Sequence, residues 1–221
     1  MCGRNSLYVV SRELRKRYNA SMSRDWKKRY NIAPENSQPV VTKNSPKNLE
    51  IMEWSFIPGF ADSEQEKRKW RNRSVINARV ETVQDKGMFK KAFRENKCLI
   101  PSTGFYEWKD EGKPKKTPYH IKPGNKRIFS FAGFYNNGTF IILTKESDNS
   151  DMADIHDRTP VILDEEQEEM YLDGDLSRDE LENVEVSDLS IEQVSRKVND
   201  PDNDSKSVLR LESRQSSLSN M

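Results

Sequence analysis

Residues 127–144 constrain the fold most. Residues 127–135 (RIFSFAGFY) form a largely apolar run, Asn136-Asn137-Gly138 is a turn signal, and residues 139–144 (TFIILT) return. Asn and Gly both accept positive φ, so the triplet predicts a tight reversal between two antiparallel strands. Further strands are expected at 39–42, at 49–57 (LEIMEWSFI), at 98–101, at 104–108 and at 119–122. Between them lie helical patterns: 11–18 with Ser11 as its cap, 85–97 with Met88, Phe89, Ala92 and Phe93 inward, 165–173, and 178–183. The class is therefore α+β. After about Asn199 the chain is rich in Ser, Asp and Asn, which predicts a folded unit over 1–200 and a flexible tail over 201–221.

Charge excludes little here. Thirty-seven basic residues face thirty-six acidic ones, and at net +1 only local clustering bears on nucleic acid. The two cysteines, Cys2 and Cys98, make no disulfide framework, and no paired Cys/His spacing suggests zinc. No metal or organic cofactor is implied. The N-terminus lacks an apolar signal core, and no run approaches the ~18 apolar residues of a membrane span. An intracellular monomer is expected, in the cytoplasm or nucleoid, or in the nucleus of a eukaryote.

The N-terminus, Met1-Cys2-Gly3-Arg4, is chemically distinctive. Cys2 is small enough for an aminopeptidase to remove Met1, which leaves one residue with a free α-amine and a thiol. Unperturbed, these titrate near ~7.7–8.0 and ~8.5, so both have a reactive fraction at neutral pH. The amine can form a Schiff base with an aldehyde, and the thiol can close onto the imine carbon as a thiazolidine. The alternative is acyl transfer by a terminal nucleophile.

Three other stretches carry candidate chemistry. Residues 74–82 (SVINARVET), if extended, set Asn77, Arg79 and Glu81 on one face. Glu107 sits among Phe105, Tyr106 and Trp108; it either points to solvent or is desolvated, with a raised pKa suited to proton transfer. His156 lies between Asp154 and Asp157, whose charges are expected to hold its pKa up. Residues 62–73 pack charge around Trp70, which alone reads as a solvated face.

Five stretches in this order resemble the SOS response-associated peptidase family, whose members shield abasic sites in DNA. They are Met1-Cys2-Gly3-Arg4; Tyr30-Asn31-Ile32-Ala33-Pro34; residues 77–82 (NARVET); 98–101 (CLIP) with 104–108 (GFYEW); and 155–163 (IHDRTPVIL). The resemblance spans residues 1 to about 200. It implies a mostly antiparallel β domain with a distorted barrel-like sheet, peripheral helices and a positively charged cleft for single-stranded DNA containing abasic sites.

Carried over residue by residue, the resemblance makes Cys2 the nucleophile, Asn77 its orienting group, Glu107 the group that handles the amine proton, and His156 the acid that opens the sugar ring. Arg4 and Arg79 would hold flanking phosphates, and Trp70 or Trp108 would stack on a base. Residues 56–60 (FIPGF) stand where the family commonly has a tryptophan-bearing loop, and Thr159 replaces a frequent methionine. Autopeptidase activity on a leader, lyase activity at abasic sites, and non-covalent DNA binding with an idle Cys2 remain open.

Overall fold

The computed structural model describes residues 2–124, 126–147, 150–186 and 188–211. In chain order its strands are β1 (Asn5–Leu7), β2 (Ser21–Met22), β3 (Arg29–Ile32), β4 (Ser37–Thr42), β5 (Ser45–Trp54), β6 (Asn77–Arg79) and β7 (Lys97–Ser102). They continue with β8 (Gly104–Lys109), β9 (Thr117–Pro123), β10 (Phe129–Asn136), β11 (Thr139–Glu146), β12 (Arg158–Pro160), β13 (Ile162–Leu163) and β14 (Leu189–Gln193). The helices are α1 (Ser11–Tyr18), α2 (Glu64–Arg71), α3 (Gly87–Glu95), α4 (Ser150–Ala153), α5 (Glu165–Asp173) and α6 (Arg178–Glu182). No helix among the described residues is long and apolar enough to cross a membrane.

The expected hairpin is the spine of the larger sheet. β10 and β11 pair antiparallel from Gly133↔Ile142 to Asn136↔Thr139, and Asn137 and Gly138 take φ of 51° and 72° in the turn. From them the sheet runs β12-β11-β10-β7-β4-β5-β2, with β13 on β10 and β6 on β11. A short parallel contact of β5 with β11 (Thr139↔Glu53, Phe140↔Trp54) bends this sheet into a ring that is not fully closed. The smaller sheet runs β14-β9-β8-β1-β3. Phe105 of β8 meets Phe131 of β10 edge to face, with ring centroids 5.9 Å apart, so the two sheets share one core. α3 closes another side of that core, its Phe89 and Phe93 packing edge to face on Phe134.

Four local expectations differ from the structure. Ser11 is the first residue inside α1, not its cap; its hydroxyl accepts the Trp26 N–H at 2.7 Å, while Glu13 caps the Val10 N–H at 3.1 Å. β5 starts and ends earlier than 49–57, because its pairing with β4 begins at Thr42↔Ser45. The 74–82 segment is extended only over β6 and then turns as a 3₁₀ helix at Val80–Thr82, so Glu81 leaves the face of Asn77 and Arg79.

The chain beyond Asn199 also stays packed. The Asp204 carboxylate accepts the Asn31 N–H at 2.9 Å and pairs with Arg29, and Val208 is buried with Tyr106, Val194 and Val198. Packed structure thus continues past the expected boundary at residue 200 through Leu209, and residues 212–221 of the expected tail lie outside the described residues.

Candidate active site

β1 delivers the N-terminal segment to the edge of β8. The two pair antiparallel at Asn5↔Phe105 and Ser6↔Gly104, and the Tyr106 N–H donates to Arg4 O at 2.9 Å. Carried one step further, this register sets Glu107 opposite Gly3. Gly104 permits the approach: its φ is +154°, and a Cβ there would stand 2.1 Å from His120 Nε2.

Glu107 does not point to solvent. It is 3% exposed, and burial pushes its carboxyl from 4.5 up to about 7. Its neighbours Phe105 and Tyr106 are also fully buried, so the strand lies inside on both faces and the alternation that would release Glu107 to water is absent.

Asn77 reaches the same place from the larger sheet. β6 runs parallel to β11 (Ile142↔Asn77 to Thr144↔Arg79), and Asn77 Nδ2 donates to Cys2 O at 2.7 Å. Asn77 Oδ1 is buried with no hydrogen-bond partner among the described residues. Cys2 itself is buried, with its Sγ 3.9 Å from Arg4 O. Burial, and then the Glu107 charge, raise the thiol well above its ordinary range. Burial thus works against the thiolate that an unperturbed Cys2 would offer.

β12 brings His156. It pairs with β11 at Glu146↔Arg158, and Arg158 grips Glu81 through two hydrogen bonds of 2.7 and 3.0 Å while donating to Thr144 O at 2.7 Å. Burial works against the Glu81 charge, but the Arg158 guanidinium outweighs it and holds that carboxyl below its ordinary value. This clamp fixes the His156 loop relative to Asn77.

The His156 pKa is lowered, not held up: burial dominates, and the adjacent Asp157 only partly offsets it. Two contacts compete for Nδ1. The Arg158 N–H donates to it at 3.0 Å, and Asp157 Oδ1 lies 2.7 Å away. The first needs a lone pair and the second a proton. Asp157 is 85% exposed and water weakens its pull, so the backbone bond governs the neutral ring and leaves the proton on Nε2. The Asp157 and Lys116 charges also act on Glu107, which ties the His156 loop electrostatically to the carboxyl.

Asn77 and Glu107 therefore both act on Cys2, one by a hydrogen bond and one by its charge, and the charges of Asp157 and Lys116 couple the His156 loop to Glu107. The expected DNA contacts are more scattered. Arg79 is exposed at the end of β6. Arg4 is half-buried and engaged by protein: its Nη1 donates to Asn31 Oδ1 at 2.9 Å and to Val198 O at 2.6 Å, and it lies over the Trp108 ring. Trp108 Nε1 donates to Asn199 Oδ1 at 2.8 Å. Trp70, on α2, packs on Phe60 and under Arg73, in a separate aromatic cluster. Sequence reasoning missed Lys116, an exposed cation whose charge reaches both Glu107 and His156. Its run, Lys113-Pro114-Lys115-Lys116, reads only as a charged loop. It also missed the clamp of Arg158 on Glu81, two residues that lie within the recognised motifs.

The geometry is that of a site built on the chain's own N-terminal segment, inside an α+β fold. The chain belongs to the SOS response associated peptidase (SRAP) family, which it matches over residues 1–201. It is 33% identical to "Abasic site processing protein YoqW" of Bacillus subtilis, covering 95% of this chain and 99% of that one. It is 28% identical to "Abasic site processing protein YedK" of Escherichia coli, over 63% of this chain and 62% of that one. A solved structure from Bacteroides thetaiotaomicron superposes with a TM-score of 0.82 at 26% identity, covering 95% of this chain and all of the other.

Proposed function

We propose that this chain processes abasic sites in DNA by capturing them covalently through Cys2 once Met1 has been removed, with single-stranded DNA as the substrate. The observation that carries the reading is the convergence at the N-terminal segment. An amide at position 77 binds the Cys2 carbonyl at 2.7 Å, and a carboxyl at position 107 near neutrality faces the same segment. The names of the relatives, abasic site processing proteins, support the abasic site as the target.

In the proposed sequence the protonated form of His156 gives a proton to the ring oxygen of the closed deoxyribose. The C–O bond of the ring breaks, the anomeric hydroxyl loses its proton to water as the aldehyde forms, and the imidazole is reprotonated from solvent. The Cys2 amine adds to the aldehyde carbon, and the carbonyl oxygen leaves as water to give the imine. The Cys2 sulfur then attacks the carbon of the protonated imine, the C=N electron pair returns to nitrogen, and the thiol proton is released to solvent. The product is a thiazolidine, with one water released per capture. A carboxyl near pKa 7 suits Glu107 to take the proton from the ammonium and return it to the departing hydroxyl. Asn77 fixes the backbone of the nucleophile. Arg79 and Lys116, both exposed, are the cations available to backbone phosphates at this site.

The test is a denaturing gel of Met1-free protein, verified by intact mass, with single-stranded DNA bearing one abasic site. A shifted band is expected with the wild type and none with Cys2→Ala. Full retention of the band by Cys2→Ala would overturn the capture mechanism.

A further inference from the structure

Five cationic side chains, Lys43, Lys90, Arg94, Lys97 and Arg178, line one cavity of about 470 Å³, bordered by α3, the C-terminal end of α5 and the start of α6. Asp173 is the one carboxylate lining it among the described residues, and no residue of the Cys2 site takes part. Most of these cations have protein partners. Lys43 donates to the Asp173 carbonyl at 3.0 Å, Arg94 pairs with Glu95 at 2.6 Å, and Arg178 pairs with Glu182 at 3.2 Å.

Lys97 differs. It is 5% exposed, and its ammonium makes no hydrogen bond or ion pair among the described residues. Its contacts are the faces of Tyr171 and Phe93, at 4.9 and 5.7 Å. Such contacts attract a cation but replace little of its hydration, and Asp175, the carboxylate whose charge reaches it, makes no ion pair with it among the described residues, so the ammonium is available to an anion in the cavity. Burial, and then Lys43, press its pKa down against the opposing charge of Asp175, and an anion between the two lysines would offset their repulsion. A Cβ on Gly174 would lie 3.4 Å from Lys43 Nζ and 3.9 Å from Lys97 Nζ, so the two ammonium groups converge on one point. Lys90 and Arg94, both exposed and one turn apart on α3, face the same cavity.

We infer that this cavity is a phosphate-binding subsite, in which Lys97 and Lys43 hold a phosphate group from the protein side while Lys90 and Arg94 close on it from the solvent side. A tetrahedral phosphate offers oxygens to several ammonium groups at once, and its negative charge suits a lining in which five cations outnumber one carboxylate. The chemistry is the same for a small phosphate and for the backbone of a nucleic acid, and the two sources separate by experiment.

The full-length protein is titrated by calorimetry and thermal melting with inorganic pyrophosphate, and separately by fluorescence anisotropy with a single-stranded oligonucleotide free of abasic sites. Wild type is compared with Lys97→Met and with the double variant Lys90→Ala/Arg94→Ala, whose two side chains are exposed. Saturable stabilisation by pyrophosphate, at least tenfold weaker in the double variant and lost in Lys97→Met, assigns a small-phosphate site. No response to pyrophosphate, together with roughly tenfold weaker and less salt-dependent oligonucleotide binding by the double variant, assigns a backbone-phosphate site. Equal responses in all three proteins, or no response to either probe, overturn the inference. If Lys97→Met does not fold, the double variant alone decides.

Discussion

At Ser6 and at Cys2, on the same short segment, buried polar groups are treated in opposite ways. The Ser6 hydroxyl donates to Gly104 O at 3.1 Å and lies 3.0 Å from His120 Nε2. The Ser6 carbonyl accepts from Thr103 Oγ1 at 3.1 Å and from Ser102 Oγ at 3.2 Å. Burial drives His120 down to about 3, so its ring is neutral and its Nε2–H serves the Ser6 oxygen. Around Cys2 the arrangement is incomplete: Asn77 Oδ1 and Arg4 Nε are buried without partners among the described residues, and Glu107 is poised near neutrality. Fully satisfied polar groups hold a structure, whereas unsatisfied ones mark where a reactant can complete the set. The Ser6 region is scaffold, and the Cys2 region, in our reading, is the tool it carries.

The sharpest way to break this contrast is Gly104→Ala. The added methyl would collide with His120 Nε2 from a backbone conformation that L residues avoid, and should cost about 3 kcal/mol or more in urea unfolding. A change below ~1 kcal/mol would mean that the Ser6 region is not rigid. Glu107→Gln comes next and should act on chemistry. It keeps the shape of the side chain but cannot move a proton, so capture should slow by about 10²-fold with DNA affinity unchanged. Equal loss of DNA binding would recast Glu107 as structural.

The same substitution tests the Glu107 pKa. Folding raises it from 4.5 to about 7, so the protonated form is favoured in the native state. The stabilisation it brings is complete below pH ~4.5 and is lost as pH rises through 7. Glu107→Gln should flatten that decline, a difference on the order of 3 kcal/mol across the window. Smaller still is Glu81→Ala, which strands the Arg158 guanidinium. Because Glu81 is 29% exposed, the expected cost is about 2 kcal/mol, below the ~3–5 kcal/mol of a fully buried pair.

The contrast also explains what the sequence made legible. The 127–144 hairpin, α1 and α5 follow from local signals: a turn pair that tolerates positive φ, and amphipathic or charged runs of the right length. Glu107 among aromatics announced an unusual carboxylate, but whether it faced water depended on β8 being covered on both sides, which only the sheet order reveals. The burial of Cys2 was hidden for the same reason. The lowered His156 pKa reversed the expectation because Asp154 and Asp157 are near in sequence, while burial by distant segments decides the sign. Residues 200–209 read as tail because their composition is polar, yet Asn31 Nδ2 donates to the carbonyls of Asp200 and Asn203 at 2.9 and 3.0 Å. A segment held mainly by backbone acceptors, with Val208 as its buried anchor, leaves little hydrophobic pattern to detect.

The smallest effect on stability, and the finest test of the contrast, is His156→Ala set against His120→Ala. Removing His120 from its buried position should cost more than ~1 kcal/mol and take from the Ser6 hydroxyl the partner at Nε2. His156 is about a quarter exposed, so its loss should shift stability by no more than ~0.5 kcal/mol. In the proposed mechanism its effect falls on capture. With a natural abasic site, whose sugar is mostly closed, His156→Ala should capture at least tenfold more slowly. With an acyclic aldehyde in place of the deoxyribose there is no ring to open, and the variant should match the wild type. If it is equally slow on both substrates, His156 does not open the ring but positions Asn77 or Glu107, through the clamp that joins Arg158 to Glu81.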